Sequence, residues 1–120
     1  MSKLEEFIDK YLSKPNKEGG YKINDSEQEA SSTSDLNDLS VFQNHSYYDV
    51  RFAAISNPNC TSAHIDKALN DDDREVRALA AMHPNATPAH INKALDDDDW
   101  VVRSSAKFNK NYKKFFPNGH

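Results

Sequence analysis

The side chains of this 120-residue sequence that could carry chemistry are five histidines, two aspartate runs, three evenly spaced arginines and a basic, aromatic tail. His64 and His90 stand 26 residues apart, each three residues after a threonine that can start a helix, Thr61 or Thr87. A metal centre would need the two to converge with a third ligand. Their fixed spacing is already explained if both are the third residue of equivalent helices. His83 stands where Asn57 stands, just before a turn proline, which points to a polar role in the turn; His45 and His120 have no partner in the sequence. The runs Asp71-Asp72-Asp73 and Asp96-Asp97-Asp98-Asp99 lack the alternating ligands and the glycine of a calcium loop. They read as helix caps along a solvated acidic edge. The other reading is an acidic ridge that docks a basic protein surface or mimics the phosphates of nucleic acid. Arg51, Arg77 and Arg103 share one offset. A phosphate-binding stripe is one reading; the expected one is that each arginine bonds the carboxylates or carbonyls of the adjoining loop and keeps neighbouring segments in register. In the tail, Lys107, Lys110, Lys113 and Lys114 interleave with Phe108, Tyr112, Phe115 and Phe116. That pattern can stack single-stranded bases, or it can be a capping helix with one basic and one apolar face. Cys60 lies in a turn with no base tied to it in sequence, and no serine sits in a nucleophile elbow. Gly19, Gly20 and Gly119 are the only glycines, too few for a phosphate-cradling loop. No catalytic, metal or cofactor site is expected.

The elements that must position these groups come from an internal repeat. Tyr48-Asp49-Val50-Arg51-Phe52-Ala53-Ala54-Ile55-Ser56-Asn57-Pro58-Asn59 is followed 26 residues on by Arg74-Glu75-Val76-Arg77-Ala78-Leu79-Ala80-Ala81-Met82-His83-Pro84-Asn85, and a third copy opens at Trp100-Val101-Val102-Arg103. The second half repeats as well, from Thr61-Ser62-Ala63-His64-Ile65 to Thr87-Pro88-Ala89-His90-Ile91. Val76, Leu79, Ala80 and His83 fall at i, i+3, i+4 and i+7, matched by Val50, Ala53, Ala54 and Asn57, so the first half predicts a helix with that stripe inward. Ser46 and Asp72 are its expected caps, with Asp49 and Glu75 completing capping boxes. Pro58 and Pro84 end the helix, and Thr61 and Thr87 cap the next, whose inward stripe is Ile65, Ala68 and Leu69, or Ile91, Ala94 and Leu95. One such pair of short helices cannot bury its apolar face alone, whereas stacked copies can. Leu36, Leu39 and Phe42 read as a degenerate second helix, and the tail as an irregular end unit.

The pattern Asp-x-x-Val-Arg-x-x-Ala-Ala-x-x-Pro-Asn-x-Thr-x-x-x-Ile-x-x-Ala-Leu-x-Asp resembles the variant leucine-rich repeat, a relative of HEAT-like helical repeats, closely over residues 46–109 and loosely over 36–120. The resemblance implies paired short helices wound into a right-handed superhelix that acts as a protein-binding scaffold. Some members carry an iron–sulfur cluster, which Cys60 alone cannot ligate. The His-Ile-x-Lys-Ala-Leu units are also similar to those of small bacterial and tailed-phage proteins of unassigned role; a phage-type inhibitor of a host protein belongs with the acidic-mimicry alternative.

The fold class expected is therefore all-α: a short right-handed solenoid of about three 26-residue two-helix repeats over residues 36–120. A short amphipathic helix over residues 1–12, carrying Leu4, Phe7, Ile8, Tyr11 and Leu12, precedes it on a flexible polar linker over 13–35. No apolar run is long enough to span a membrane, there is no secretory leader pattern, and one cysteine forms no internal disulfide, so a cytoplasmic location is expected. Charge is uneven: residues 1–45 carry net −4, 46–99 net −5 and 100–120 net +5. The function expected is a non-catalytic protein-binding adaptor or inhibitor. Tyr48, Arg74 and Trp100 share one unit position at a helix start and are its anchors, with Asp71, Asp72, Asp73, Asp97, Asp98 and Asp99 steering the partner. Two alternatives stand beside it. One is nucleic-acid engagement, through Lys107, Lys110, Lys113 and Lys114 or by acidic mimicry; the other is a self-assembling structural module.

Overall fold

The computed structural model describes residues 23–119. Among these there are eight helices and no strand: α1 (Ile23–Ser32), α2 (Leu36–Gln43), α3 (Tyr48–Ile55), α4 (Ser62–Ala68), α5 (Arg74–Met82), α6 (Pro88–Leu95), α7 (Trp100–Phe108) and α8 (Tyr112–Phe115). The amphipathic segment expected over residues 1–12 lies outside the described residues. Helices α1, α3, α5 and α7 pack one on the next in a row, and the even-numbered helices lie beside them. The molecule is drawn out to 53 × 25 × 18 Å.

The reason for the row is on its inner stripe. Val50, Val76 and Val102 are almost fully buried, and Ala54, Ala80 and Ala106 are wholly so. The small residues let backbones approach, and the valines fill the space between the two layers. Ile65 and Ile91 close the stripe from the even helices. Each such aliphatic side chain contributes about 1.5–3 kcal/mol on leaving water. The expected core is observed with one correction: Leu79 is only partly buried at the margin of the cluster, while Leu95 is 8% exposed and Val76 and Ala80 carry the inward face of α5.

The caps differ from expectation by one residue. Asp73, not Asp72, caps α5, its Oδ1 accepting the amides of Glu75 at 2.8 Å and Val76 at 3.2 Å. Asp99 caps α7 in the same way, through the amide of Val101 at 2.8 Å. At the third site Tyr47, not Ser46, holds the cap position and has no side-chain acceptor to offer. With the cap moved on by one, Asp49 and Glu75 fall at the second helical residue and complete no box.

Residues 23–32, expected within a flexible linker, form helix α1 instead, and it packs on α3. Ala30 is wholly buried, and the Asn57 side-chain amide donates to the carbonyls of Ala30 at 3.0 Å and Thr33 at 2.7 Å.

Candidate functional site

The groups singled out for chemistry are mostly taken up at the junctions between sequence copies. Thr61 and Thr87 each start an even-numbered helix, and the histidine three residues on completes the box. The amide of Thr87 donates to His90 Nδ1 at 2.9 Å, and the amide of Thr61 to His64 Nδ1 at 3.0 Å. Accepting at Nδ1 leaves the proton on Nε2. That nitrogen reaches back to the preceding even helix: from His64 to the carbonyl of Leu36 at 3.2 Å, and from His90 to Asp66 Oδ1 at 2.8 Å. Both rings are buried. Among the described residues no cluster of three or more histidine, cysteine, aspartate or glutamate side chains could hold a metal ion.

The turns before Pro58 and Pro84 carry a second buried ladder. Asn57, His83 and Asn109 each accept the amide two residues on, Asn59, Asn85 or Asn111, at 2.8–3.0 Å. Each also reaches back to the preceding copy: Asn57 to Ala30 and Thr33, His83 Nε2 to the Asn57 carbonyl at 2.9 Å, and Asn109 to the carbonyls of Ala81 and His83. Burial is the main force on His83 and lowers its pKa below the ordinary histidine value, against the hydrogen bond to Asn57. Cys60, at the position of Ala86, is buried with its thiol near the Ala54 carbonyl, and burial pushes its pKa up to about 11, far from a nucleophile's range.

The arginines bond the loops as the sequence suggested. Arg51 grips Asp71 with Nε at 2.9 Å and Nη2 at 3.2 Å, while its Nη1 donates to the carbonyls of His45 and Ser46. Arg77 repeats this with Asp97 and the carbonyls of Asp71 and Asp72. The aspartate runs are thereby divided. Asp71 and Asp97 are half-buried in ion pairs and also accept the amides of Asp73 and Asp99, which themselves cap helices. Only Asp72, Asp96 and Asp98 extend exposed into solvent, so the acidic edge is thinner than its sequence. Exposed Arg74 lies 3.5 Å from Asp99, a surface pair of small energetic worth.

What remains open is apolar. The exposed large hydrophobic residues among those described are Leu36, Tyr47, Tyr48, Phe52, Met82, Trp100 and Phe108. Five of these seven fall on one face of the odd-helix row, at equivalent positions: Tyr48 and Trp100 at the first, Phe52 at the second, Met82 and Phe108 at the third. The positions are spaced by four along each helix, and the helices stand side by side; on α5 the first position is Arg74 and the second, Ala78, is buried. Trp100 is 66% exposed and Phe108 76%. At the α1 end of the face an open groove of about 700 Å³ is lined by Gln28 and Ser31 from α1, Tyr48 and Phe52 from α3, Ser56 at the C-cap of α3, and Glu75 from α5. The Tyr48 hydroxyl bonds Asp49, which raises its pKa and keeps it neutral.

The expected anchors Tyr48 and Trp100 thus lie on this face; Phe52, Met82 and Phe108 were not singled out as members of it. Their signal was available, because Ser56 occupies the same unit position as Met82 and Phe108 and a serine there marks an outward face. In the tail, Tyr112, Phe115 and Phe116 are partly buried, packed against the core, and Tyr112 and Phe116 lie 5.5 Å apart. Lys107, Lys110, Lys113 and Lys114 are exposed, with Phe108 the one open aromatic among them. No helix among the described residues is long and apolar enough to cross a membrane. Comparison with protein-family models, with curated proteins and with solved structures finds no match to this chain.

Proposed function

We propose that this chain is a non-catalytic protein-binding adaptor or inhibitor. Its scaffold is a short right-handed solenoid of the variant leucine-rich-repeat kind, and its binding surface is the outer face of the odd-helix row. The observation that carries the reading is the gathering of Tyr48, Phe52, Met82, Trp100 and Phe108 on that face. Large apolar groups left exposed on one face mark a surface for a partner, and here exposed Arg74 stands at the unit position between Tyr48 and Trp100. Tryptophan and tyrosine are the residues most often found to anchor protein interfaces, and truncating one typically costs about 2 kcal/mol or more. The structural employment of His64, His83 and His90, of Arg51 and Arg77 and of four of the seven run aspartates supports a scaffold over an enzyme. In this reading helix α1, which packs on α3, adds to the N-terminal side of the scaffold.

Base stacking by the tail is the weaker reading, because three of its four aromatics face the core. The test is capture from an extract of the native host with full-length protein as bait. The matched bait carries Tyr48→Ser, Trp100→Ser and Phe108→Ser, with unchanged helical circular dichroism. A protein retained by the first bait and lost from the second supports the reading; equal retention, or retention abolished by nuclease, overturns it. A mass that rises with concentration and falls with the triple substitution would assign the face to self-assembly.

A further inference from the structure

Three arginines are held alike, but only two have their forks filled. In Arg51 and Arg77 the Nη1 edge is fixed to two loop carbonyls, and the Nε/Nη2 edge grips the carboxylate of Asp71 or Asp97, 20 residues further along the chain. Arg103 has the same anchorage: Nη1 donates to the carbonyls of Asp97 at 2.8 Å and Asp98 at 3.0 Å. Its Nε/Nη2 edge makes no hydrogen bond among the described residues, although the side chain is only half-exposed.

We propose that the Nε/Nη2 edge of Arg103 is a binding site for an aspartate or glutamate carboxylate of a protein partner. A guanidinium whose other edge is already fixed has lost most of its rotamer freedom, so a second ligand adds two parallel charge-assisted bonds at little further entropic cost. The shape of the ligand is given by the two filled forks, which hold a planar carboxylate in this way. The sign of the ligand is set by the guanidinium itself, with Lys107 one helical turn beyond it on α7. In the adjoining loop Asp97 is paired with Arg77 and Asp99 with Arg74, which leaves Asp98 as the exposed carboxylate beside the site. The site is distinct from the apolar face and would stand if that face bound nothing.

The test uses the full chain, labelled with nitrogen-15 and observed at the arginine Nε–H resonances. Sodium acetate and sodium phosphate are titrated at constant ionic strength, followed by the blocked peptide acetyl-Leu-Asp-Asp-Asp-Asp-Trp-amide, the loop sequence that Arg77 grips within this chain. The expected result is a saturable shift of the Arg103 Nε–H by acetate, with Arg51 and Arg77 unmoved because their forks are full. The peptide saturates at a concentration at least tenfold lower than acetate. Arg103→Lys keeps the charge and removes the fork, and weakens the peptide at least tenfold as read from backbone amides. Three results would overturn the proposal: no saturable shift at Arg103, equal peptide affinity in Arg103→Lys, or saturation by phosphate below acetate, which would make the site one for phosphate. The wild-type titration decides even if the variant folds poorly.

Discussion

Replacing Asn57 by alanine isolates the polar bonds that hold α1 to the rest of the molecule. Asn57 is fully buried and makes three side-chain bonds: Nδ2 to the Thr33 carbonyl at 2.7 Å and the Ala30 carbonyl at 3.0 Å, and Oδ1 from the Asn59 amide at 2.8 Å. Alanine deletes all three. Thr33 keeps a second donor in the Asn59 side chain at 3.2 Å, so that carbonyl is not orphaned. The Asn59 amide loses its turn acceptor. A buried group left without a partner costs about 1–3 kcal/mol, and a bond lost between groups that find other partners about 1 kcal/mol. The expected loss is about 2–4 kcal/mol, read as a lower urea midpoint at unchanged slope. Amide exchange gives the location: protection over Ile23–Ser32 should fall more than protection over Arg74–Leu95. Asn57→His is the milder control, because His83 fills the equivalent position by accepting an amide at Nδ1 and donating from Nε2 to one carbonyl. It should lose about half as much. A loss under about 0.5 kcal/mol for Asn57→Ala, or unchanged exchange in α1, would refute the account of how a polar helix is held.

Thr87→Ala removes the hydroxyl that accepts the His90 amide at 3.3 Å and should lower stability by about 1 kcal/mol in urea unfolding; no change would show that the His90 side of the box suffices. Cys60, with its pKa pushed up to about 11 by burial, should react with a disulfide reagent at pH 8 far more slowly than in urea, and Cys60→Ala should cost under about 1.5 kcal/mol because Ala86 fills the equivalent place; fast labelling of folded protein would contradict this. Burial lowers the His83 pKa, and likewise that of His45. An unfolded histidine titrates near about 6.5, so from there down to the lowered folded value the unfolded chain binds the proton more readily. Stability from these groups is complete above about pH 6.5 and lost as pH falls through the folded values. His83→Asn, the residue found at positions 57 and 109, should flatten the decline of the urea midpoint between pH 7.5 and 5.5; an unaltered decline would remove His83 from the cause.

The helix pairs were legible because their signals are local. Apolar residues at helical spacing, a proline after α3 and α5 and a threonine before α4 and α6 mark where these helices meet, and the third sequence copy marks the start of α7 at Trp100. Helix α1 was hidden for a physical reason. Its sequence has no apolar stripe, and the bonds that dock it go from Asn57 to backbone carbonyls, which every sequence has. The cap at Asp73 instead of Asp72 was hidden among three identical residues, where only the backbone angles choose which carboxylate meets the amides. The arginine bonds followed from chemistry, since an arginine recurring beside an aspartate loop has its acceptors at hand. For the outer face, comparison of positions 48, 74 and 100 pointed to Tyr48 and Trp100, whereas Met82 was passed over inside an apolar helix and Phe108 inside a basic tail.

Covalent footprinting of the full chain with and without its captured partner tests the central claim most directly. Hydroxyl-radical oxidation reads Trp100, Met82, Tyr48 and Phe108 in one experiment, and all four are exposed in the free protein. The account predicts that the partner protects these four together, while exposed residues elsewhere, such as Leu36 on α2, keep their reactivity. Protection confined to α2 or to the lysines of the tail, with Trp100 and Met82 oxidised as in the free chain, would contradict it.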